Sequence, residues 1–372
     1  MGQTLIIGAG TAGLSCGRIL DELRKDYLIV DQKKEVGKPY RSTYGVSMFY
    51  VNRYGMPGHD GMDGGVIASY IDSIRLETDE SHYDLDFGKH VGLVYDPAKY
   101  EPQMATGLNI NLNTRVQWIG NGEVLLSDGD RMKPDNVIVA AGPTTNLLPT
   151  SKEFAYDRKE WVAAYEESRY LPKRSDVDLV LHFSDRYAPG GYLWDFPSNN
   201  GMRRIGIGVK QSMGTRPVDM LHAYDELRPE WKGSVDHTIS HVIPLCHPPK
   251  QVVFGNTAYI GESARTTFAS TGGGLQSAFR SGMLAGISIA VDGNLKGYQK
   301  AWNRELYPML KRHYKIKKTM YGVGQKGFND LLEVASGFHI KSEDVIAEMP
   351  RLAKYLMLRK PSLLFRMIGL LL

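Results

Sequence analysis

The first apolar run of the chain predicts a buried strand that leads into a glycine-rich turn and a helix. Leu5–Ile7 is apolar at every position, which is typical of a strand covered on both faces, and helical spacing follows as far as Leu23. A second apolar run, Tyr27–Val30, predicts the next strand, which ends at Asp31. The order strand, helix, strand indicates a βαβ unit and therefore a parallel sheet at the start of the chain.

The turn between the first strand and the helix has the glycine spacing of a dinucleotide site. Gly8 allows the tight turn, Gly10 lets backbone N–H groups approach a pyrophosphate, and Gly13 lets the helix pack closely on the sheet. Asp31, 21 residues after Gly10, can accept ribose hydroxyls, and the helix N-terminus stabilises phosphates. The predicted contacts of this site are Gly8, Gly10, Thr11, Ala12, Gly13 and Asp31.

A period-two pattern near the middle of the chain predicts two paired strands with an aromatic face. Tyr192, Trp194 and Phe196 occupy alternate positions and so share one side of a strand. Gly206 and Gly208 alternate with apolar residues on the following strand, where we expect them to leave room beside the aromatic side chains. Because each buried methylene contributes about 0.8 kcal/mol, a long apolar chain would be stabilised in such a slot. An ordinary aromatic sheet core is the alternative interpretation.

Composition and charge exclude several classes of protein. Of 372 residues, 42% are hydrophobic and 23% are charged, which is typical of a globular protein and unlike a disordered, collagenous or coiled-coil chain. The net charge of +4 is too small to indicate a nucleic-acid partner. Two cysteines, Cys16 and Cys246, cannot form a disulfide framework, and the sequence has neither a signal-peptide pattern nor an apolar run of about 18 residues. We therefore expect a cytoplasmic protein, and no metal site, since Cys246 and His247 have no second pair of ligands.

A second glycine-rich segment distinguishes between the possible dinucleotides. Thr257–Ala264 predicts a strand that runs into a turn bearing Glu262, and Thr271–Leu275 opens a helix rich in small residues. Together with the first glycine turn, this resembles the paired FAD fingerprints of the aromatic-hydroxylase-like flavoproteins. The resemblance implies that FAD is the cofactor, and that Glu262, in place of the usual Asp, holds its ribityl chain. The contacts implied in this segment are Glu262, Gly272, Gly273, Gly274 and Leu275.

The aromatic element resembles a signature of the geranylgeranyl reductases, flavoproteins that saturate isoprenoid double bonds. Pro189–Pro197 followed by Gly206–Gly208 is similar to their P-x-x-Y-x-W-x-F-P and G-x-G pattern, and Val36–Ser42 is similar to their G-K-P segment. Relatives generally carry Cys at the position of Ser42, and Ala141 stands where the wider fold usually carries Asp. The remaining predicted FAD contacts are Arg41, Ser42, Val116 and Gly142.

These patterns predict an α/β fold with a Rossmann-like FAD-binding domain of the aromatic-hydroxylase type and a substrate domain built on an antiparallel sheet. Strands are expected at Arg115–Trp118, Glu123–Ser127 and Val137–Ala140. The predicted domains are an FAD-binding domain of residues 1–45, 100–150 and 254–300, a substrate domain of residues 46–99 and 151–253, and a helical C-terminal region of residues 301–372.

The resemblance implies an FAD-dependent oxidoreductase that saturates C=C bonds of a geranylgeranyl or other isoprenoid lipid, with hydride from N5 of the reduced flavin. Tyr192 and Tyr44 are the candidate proton donors, and no other catalytic residue is assigned. The electron donor is external, either NAD(P)H or a ferredoxin-type protein. The predicted substrate pocket includes Tyr192, Trp194, Phe196, Gly206 and Gly208.

Two other functions remain open at the level of sequence. A flavin-dependent monooxygenase or halogenase would use the same fold, although the sequence has no W-x-W-x-I-P element of the kind that halogenases usually show. A non-catalytic flavin-binding protein would dock on a membrane through the basic tail, where residues 301–372 hold 13 Lys and Arg against 6 Asp and Glu. The charged run Lys311–Lys318 and the apolar Leu363–Leu372 predict either peripheral membrane contact or a solvated helix followed by a docked helix.

Overall fold

The computed structural model describes residues 3–59, 65–172 and 176–335, together with residues 338, 348, 351, 352, 354, 355, 358 and 359. The chain divides into two compact units. Unit 1 combines the chain up to Tyr40 with Pro97–Tyr156 and Pro244–Tyr314. Unit 2 combines Arg41–Asp96 and Asp157–Ile243 with the described residues from Lys315 onward. Each unit is therefore assembled from separate stretches of sequence.

The chain contains mostly short strands, which follow one another in long runs between the helices. The strands are β1 (Thr4–Ile7), β2 (Tyr27–Val30), β3 (Gly45–Ser47), β4 (Ile67–Ile71), β5 (Ser73–Thr78), β6 (His82–Asp86), β7 (Gly92–Tyr95), β8 (Ile110–Asn111), β9 (Val116–Gly120), β10 (Glu123–Leu126), β11 (Arg131–Met132), β12 (Asn136–Val139), β13 (Trp161–Tyr170), β14 (Leu179–Phe183), β15 (Tyr192–Pro197), β16 (Met202–Lys210), β17 (Ser234–Pro244), β18 (Val253–Phe254) and β19 (Thr257–Tyr259). The helices are α1 (Thr11–Glu22), α2 (Met48–Tyr54), α3 (Tyr100–Ala105), α4 (Pro217–Asp225), α5 (Leu275–Asp292), α6 (Lys296–Ala301) and α7 (Tyr307–Ala335). Gly324, with a φ of 61°, interrupts α7. Of the helices that the structure describes, none is both long enough and apolar enough to cross a bilayer.

The main sheet of unit 1 explains the unbroken apolar runs near the start of the chain. Its strand order is β18-β19-β12-β1-β2-β8, and β1 pairs in parallel with β12 on one side and β2 on the other. Every residue of β1 and β12 is buried. Central strands of a parallel sheet are covered on both faces, so polar positions cannot alternate with apolar ones there. A second, smaller sheet has the order β11-β10-β9.

Helices α1 and α5 of unit 1 approach each other at backbone distance. A Cβ atom at Gly282 would lie 2.1 Å from both the carbonyl oxygen of Ala12 and the Oγ of Ser15. A Cβ atom at Gly286 would lie 2.9 Å from the carbonyl oxygen of Cys16. The small residues of α5 therefore serve close helix packing, which also orients the residues at the start of both helices.

Unit 2 is built on a seven-stranded sheet of order β17-β13-β16-β15-β14-β5-β6. Neighbouring strands run antiparallel from β13 to β14, and β14 pairs with β5 in parallel. One face of the sheet packs into a hydrophobic core with α4 and the turn at Trp231. This core includes Val180, Leu193, Ile205, Ile207, Val209, Leu221, Tyr224 and Trp231. A three-stranded sheet of order β3-β7-β4 completes the strands of the unit.

The predicted α/β architecture is confirmed: unit 1 has a parallel sheet with helices, and unit 2 has a largely antiparallel sheet. The predicted strands near residues 115, 123 and 137 correspond to β9, β10 and β12, with boundaries shifted by one or two residues. The described residues from Ala301 onward divide between the two units. Those up to Tyr314 group with unit 1, where His313 stacks on Phe268, and the described ones from Lys315 group with unit 2, where Phe328 stacks on Phe183. The predicted domain bounds stay a prediction.

Replacing Gly282 with Ala should destabilise the protein, because the added methyl group has no space between α1 and α5. Overpacking of this kind typically costs about 1–3 kcal/mol. Thermal unfolding followed by circular dichroism should show a clear fall in the midpoint. Gly322→Ala is the matched control, since Gly322 is exposed on α7 and a Cβ atom there would have no neighbour within 4 Å. An equal midpoint for the two variants would contradict the packing argument.

Candidate functional site

The glycine turn after β1 is shaped by contacts of its own backbone. Gly8 has a φ of 113°, and a Cβ there would lie 2.4 Å from the carbonyl oxygen of Ala140, the residue that follows β12. A Cβ at Gly13 would lie 1.9 Å from the carbonyl oxygen of Gly8. Gly10 differs, because a Cβ there would meet only Glu101 Oε1, at 3.8 Å. Gly8 and Gly13 are thus required by packing, whereas Gly10 leaves open space beside the start of α1.

Asp31 directly follows β2 and holds the same turn from the other side. One carboxylate oxygen accepts the N–H of Ala9 at 2.7 Å, and the other accepts the N–H of Lys33 at 2.8 Å. A carboxylate oxygen can accept more than one hydrogen bond, so these contacts leave acceptor capacity for a ribose hydroxyl. The predicted ribose contact stays a prediction, and the structure adds a second task for Asp31, which is to fix the glycine turn.

Glu101 is a residue of this site that the sequence analysis missed. It lies on α3, and its Oε1 accepts the backbone N–H of Thr11 at 3.1 Å and the Thr11 hydroxyl at 3.2 Å. The carboxyl group is buried, and this burial raises its pKa above the usual value of 4.5. Glu101 thus caps the start of α1 from 90 residues away in the sequence. The apolar and glycine patterns contain no signal that would identify such a residue.

The second glycine-rich segment lies beside the first. Gly261 follows β19 with a φ of 58°, and a Cβ there would lie 2.8 Å from the Cβ of Ala12 on α1. The N–H of Gly261 donates to the Oγ of Ser281 on α5 at 2.9 Å. These contacts bring the two segments, 8–13 and 261–275, to one place in unit 1, although about 250 residues separate them in the sequence.

The turn that contains Glu262 is supported by hydrogen bonds of its neighbours. Thr267 donates to Oε1 of Glu262 at 3.4 Å, and Ser263 donates to the carbonyl oxygen of Gly142 at 2.8 Å. Gly272 has a φ of 72°, and Gly274 precedes α5 as its N-cap without a side-chain hydrogen bond. The backbone N–H groups that begin α5 are thus not capped by the side chain of the N-cap residue. Gly273 belongs to the turn before the helix, and Leu275 is its first residue.

Unit 1 has two places that are suited to the two ends of a dinucleotide. The space beside Gly10 admits a group where any other residue would place a Cβ atom, and it lies next to a helix start, whose backbone N–H groups are of the kind that can bind phosphate. Glu262 and the glycine turn before α5 offer a carboxylate and backbone donors for a polyol and a heteroaromatic ring edge. Val116, also predicted as a contact, is buried on β9 of the same unit.

In unit 2 the predicted aromatic face exists, and it is more crowded than expected. Tyr192 lies opposite Gly208, Trp194 opposite Gly206, and Phe196 opposite Arg204. A Cβ at Gly206 would lie 2.3 Å from Cε2 of Trp194, so the indole ring covers this glycine. The room that Gly206 was expected to leave is therefore filled by Trp194 itself, because the bare backbone allows the ring to lie flat on the sheet.

Polar residues that the sequence analysis missed hold this face together. Trp194 Nε1 donates to Oε2 of Glu166 at 2.9 Å, and Arg204 Nε donates to the other oxygen at 2.7 Å. Thr43 Oγ1 donates to Oε2 of Glu166, and Arg204 Nη2 donates to the carbonyl oxygen of Ser42 at 3.0 Å. A charged residue inside the long strand β13 was the available signal, since charged residues are rarely buried without a partner.

The two candidate proton donors lie in unit 2 in different environments. Burial raises the pKa of Tyr192 well above its ordinary value of 10, so its phenol stays protonated at neutral pH. Its ring lies 5.6 Å from that of Phe183 and 5.8 Å from that of Trp194, centroid to centroid. Tyr44 is also buried and has a φ of 60°, which is uncommon for a residue other than glycine. A strained backbone at a candidate site is a reason to keep Tyr44 under consideration.

Arg41 and Ser42, predicted as FAD contacts, belong to unit 2 and are exposed. Ser42 Oγ accepts a hydrogen bond from the backbone N–H of Tyr44 at 3.1 Å, and the Ser42 carbonyl oxygen accepts the one from Arg204 Nη2 described above. The hydroxyl thus shapes the turn that leads into β3. Their predicted contact with the cofactor stays a prediction.

Comparison with known proteins gives a family profile that matches part of this chain, and solved structures that share its fold. Residues 163–242 match the family profile of the geranylgeranyl reductase catalytic domain. The digeranylgeranylglycerophospholipid reductase of Methanocella arvoryzae is 24% identical over 99% of this chain and 98% of its own. The digeranylgeranylglycerophospholipid reductase 1 of Methanopyrus kandleri is 26% identical over 82% of this chain and 86% of its own.

Two solved structures show the class of fold. A geranylgeranyl bacteriochlorophyll reductase-like protein from Thermoplasma acidophilum superposes with a TM-score of 0.87 at 18% identity and covers 99% of both chains. HpxO of Klebsiella pneumoniae, solved with FAD and uric acid, superposes with a TM-score of 0.66 at 14% identity over 99% of this chain and 97% of its own. This chain therefore has the fold shared by these two proteins, of which HpxO was solved with FAD. Within that class, the resemblance to the geranylgeranyl reductases is confirmed.

Replacing Glu101 with Gln should stabilise the protein at pH 8 and change little near pH 4. The folded-state pKa of Glu101 is raised above 4.5, so stability present below pH 4.5 is lost as the pH rises through the folded-state pKa. Gln cannot ionise but still accepts from Thr11. Because the variant has no such pH-dependent loss, we expect its free energy of unfolding to exceed that of the wild type at pH 8.

Chemical unfolding of both proteins at pH 4 and pH 8 measures this difference. Glu22→Gln is the matched control. It makes the same chemical change at a residue that is exposed at the end of α1. A Glu101→Gln variant that is less stable than the wild type at pH 8 would show that the ionised carboxylate stabilises the helix start.

Proposed function

We propose that this protein is an FAD-dependent reductase that saturates C=C bonds of an isoprenoid lipid, with a geranylgeranyl chain as the substrate class. The observation that carries the proposal is that residues 163–242, which match the geranylgeranyl reductase catalytic domain, contain β15 and β16 with the aromatic face of Tyr192, Trp194 and Phe196. The curated relatives of similar length are named as reductases of digeranylgeranylglycerophospholipids, which supports the same substrate class.

Unit 1 is proposed to bind FAD. The start of α1 would hold the pyrophosphate, Asp31 the ribose hydroxyls, and Glu262 with Gly272–Leu275 the ribityl chain and flavin. When it is bound and reduced, FAD supplies the hydride that adds to one carbon of the alkene. The cofactors of solved neighbours support this choice, since HpxO shares the fold and was solved with FAD.

Unit 2 is proposed to position the lipid. An isolated alkene has no polar group and carries little charge before it reacts. The protein must therefore hold it by shape and exclude water. Tyr192, Trp194 and Phe196 would supply apolar ring surface for this task. Tyr192 is protonated at neutral pH, as a proton donor must be, but its raised pKa makes it a weaker acid than an ordinary tyrosine, and Tyr44 is the second candidate donor. The external electron donor, NAD(P)H or a ferredoxin-type protein, is left open.

Two alternatives use the same fold. A monooxygenase would insert oxygen into an isoprenoid or aromatic substrate, and a non-catalytic flavoprotein would bind FAD without responding to a lipid. Both differ from a reductase in a measurable product. Oxygen consumption that matches substrate loss would favour the monooxygenase, and a reduced flavin that stays unchanged on addition of lipid would favour the non-catalytic protein.

The proposed activity predicts that the reduced, FAD-loaded protein saturates geranylgeranyl lipids without oxygen. Mass spectrometry of the anaerobic reaction should show products that gain two hydrogens for each double bond reduced. A matched reaction with unreduced protein should show no gain. Products that contain added oxygen under air, and no hydrogenated product under nitrogen, would count against the proposal.

Trp194→Ala is the variant that links this activity to the aromatic face. Its turnover should fall by at least roughly tenfold, because the alkene loses part of its wall, while FAD stays bound to unit 1. The flavin absorbance that remains with the protein after gel filtration measures the retained cofactor. Turnover equal to that of the wild type would remove Trp194 from the proposed pocket.

We also propose peripheral contact of the basic tail with an anionic membrane on the cytoplasmic side. Lys315 and Lys318, three residues apart on α7, are exposed. Lys317 is buried, and its Nζ lies 2.6 Å from Oε2 of Glu160. Each exposed lysine near an anionic surface contributes about 1 kcal/mol of attraction. Leu363–Leu372, the apolar part of the prediction, lies outside the described residues.

Sedimentation with vesicles tests the membrane contact. The protein should bind vesicles that contain phosphatidylglycerol more tightly than purely zwitterionic vesicles. Lys315→Gln combined with Lys318→Gln should weaken this binding by about tenfold or more at low salt. Lys34→Gln combined with Lys250→Gln, the same charge change at two exposed positions of unit 1, is the control. Equal loss in both double variants would indicate a net-charge effect without a docking surface.

A further inference from the structure

Three adjacent strands of unit 2 place Glu166, Gly206 and Trp194 in one row across the sheet. Glu166 on β13 pairs with Gly206 on β16, which pairs with Trp194 on β15. Neighbouring strands lie about 4.8 Å apart, so the indole must cross a whole strand to reach Glu166. It does so over Gly206, and its Nε1 donates to Oε2 of Glu166 at 2.9 Å. The missing side chain at Gly206 is therefore what makes this hydrogen bond possible.

The carboxylate of Glu166 is held from three different elements. Besides the hydrogen bond from the indole of Trp194, its Oε1 accepts one from Arg204 Nε at 2.7 Å. Its Oε2 accepts another from the hydroxyl of Thr43. Arg204 Nη2 lies 2.7 Å from the same Oε1 and also donates to the carbonyl oxygen of Ser42 at 3.0 Å. Both charged side chains are buried, with 4% of Glu166 and 1% of Arg204 exposed. A buried charge pair with this many donors has one favourable arrangement, since loss of any partner leaves a charge without compensation.

We propose that Glu166 and Arg204 are positioning residues of the isoprenoid site, which fix the indole of Trp194 and the backbone of Ser42–Thr43 in a single arrangement. The proposal rests on the proposed function, because it takes Trp194 to be part of the wall that borders the lipid. Both carboxylate oxygens of Glu166 already accept hydrogen bonds from its neighbours, so Glu166 acts through these neighbours.

The need for such a device follows from the chemistry of the substrate. Rotation of an indole about its second side-chain torsion is soft, so packing alone leaves more than one ring orientation accessible. An isoprenoid offers no charge or hydrogen-bonding group along its hydrocarbon chain that could define the position of one double bond. The ring orientation of the wall must then define it, and a shift of about 1 Å is enough to lower a rate constant roughly a hundredfold.

The first test is Trp194→Phe, which keeps an aromatic ring and removes the N–H donor to Glu166. We expect kcat for a geranylgeranyl lipid to fall about tenfold, with KM changed less than about threefold and FAD affinity unchanged. Trp118→Phe is the matched control, since Trp118 lies 43% exposed on β9 of unit 1. The split between kcat and KM distinguishes lost positioning from lost binding.

The second test is the double variant Glu166→Met with Arg204→Met. Replacing a buried ion pair by apolar side chains of similar volume commonly leaves a fold intact, so this variant removes the hydrogen bond without leaving a lone charge. The near-ultraviolet circular dichroism spectrum of the wild type minus that of Trp194→Phe isolates the signal of Trp194. The same difference, measured between the Met/Met variant with and without Trp194→Phe, should be smaller by about half or more. The Met/Met variant should keep the thermal midpoint of the wild type, and its kcat should fall as in Trp194→Phe.

Each outcome decides the proposal. A folded Met/Met variant with a kcat within about twofold of the wild type would overturn it, as would an undiminished Trp194 signal. If the Met/Met variant does not fold, the kcat of Trp194→Phe decides alone. If the wild type reduces no isoprenoid at all, the proposed function fails, and the circular dichroism comparison still decides whether Glu166 and Arg204 orient the indole.

Discussion

Backbone packing at the start of α1 is the constraint on which the rest of unit 1 depends. The carbonyl oxygens of Ala140, Gly8 and Ala12 occupy positions where a side chain at Gly8, Gly13 or Gly282 would have to lie. Three segments distant in sequence therefore meet at backbone distance: the residue that follows β12, the first turn of α1 and the middle of α5. Because the interior of a protein is close-packed, this convergence leaves little freedom in where the N–H groups of the helix start point.

Polar contacts then refine what the packing establishes. In unit 1, Asp31 and Glu101 hold the glycine turn and the start of α1 through backbone N–H groups. In unit 2, the pair of Glu166 and Arg204 does the same for an aromatic face. Each of these side chains is buried, so breaking its hydrogen bonds would leave a polar group away from water without a partner. Both units thus use buried carboxylates to fix the geometry of surfaces that carry no charge of their own.

Regular patterns account for what sequence analysis predicted well. The unbroken run at Leu5–Ile7 indicated a central parallel strand, and the alternation at Tyr192–Phe196 indicated a strand with one aromatic face. Both features depend on residues that are close in sequence and on a fixed period of the backbone. By contrast, Thr11 and Glu101 are 90 residues apart, and Thr43 and Glu166 are 123 apart. No local period connects such pairs, so neither could be predicted from the pattern.

The amino-acid sequence alone determined that a glycine turn follows a buried strand, that a second such turn lies near residue 270, and that three aromatic rings share one strand face. These properties follow from backbone geometry over fewer than about ten residues. Only the tertiary structure decided that Gly261 lies against Ala12 and that the indole of Trp194 covers Gly206. The reason is physical: whether a glycine leaves space open or admits a neighbour depends on what packs above it, and that neighbour comes from another part of the chain.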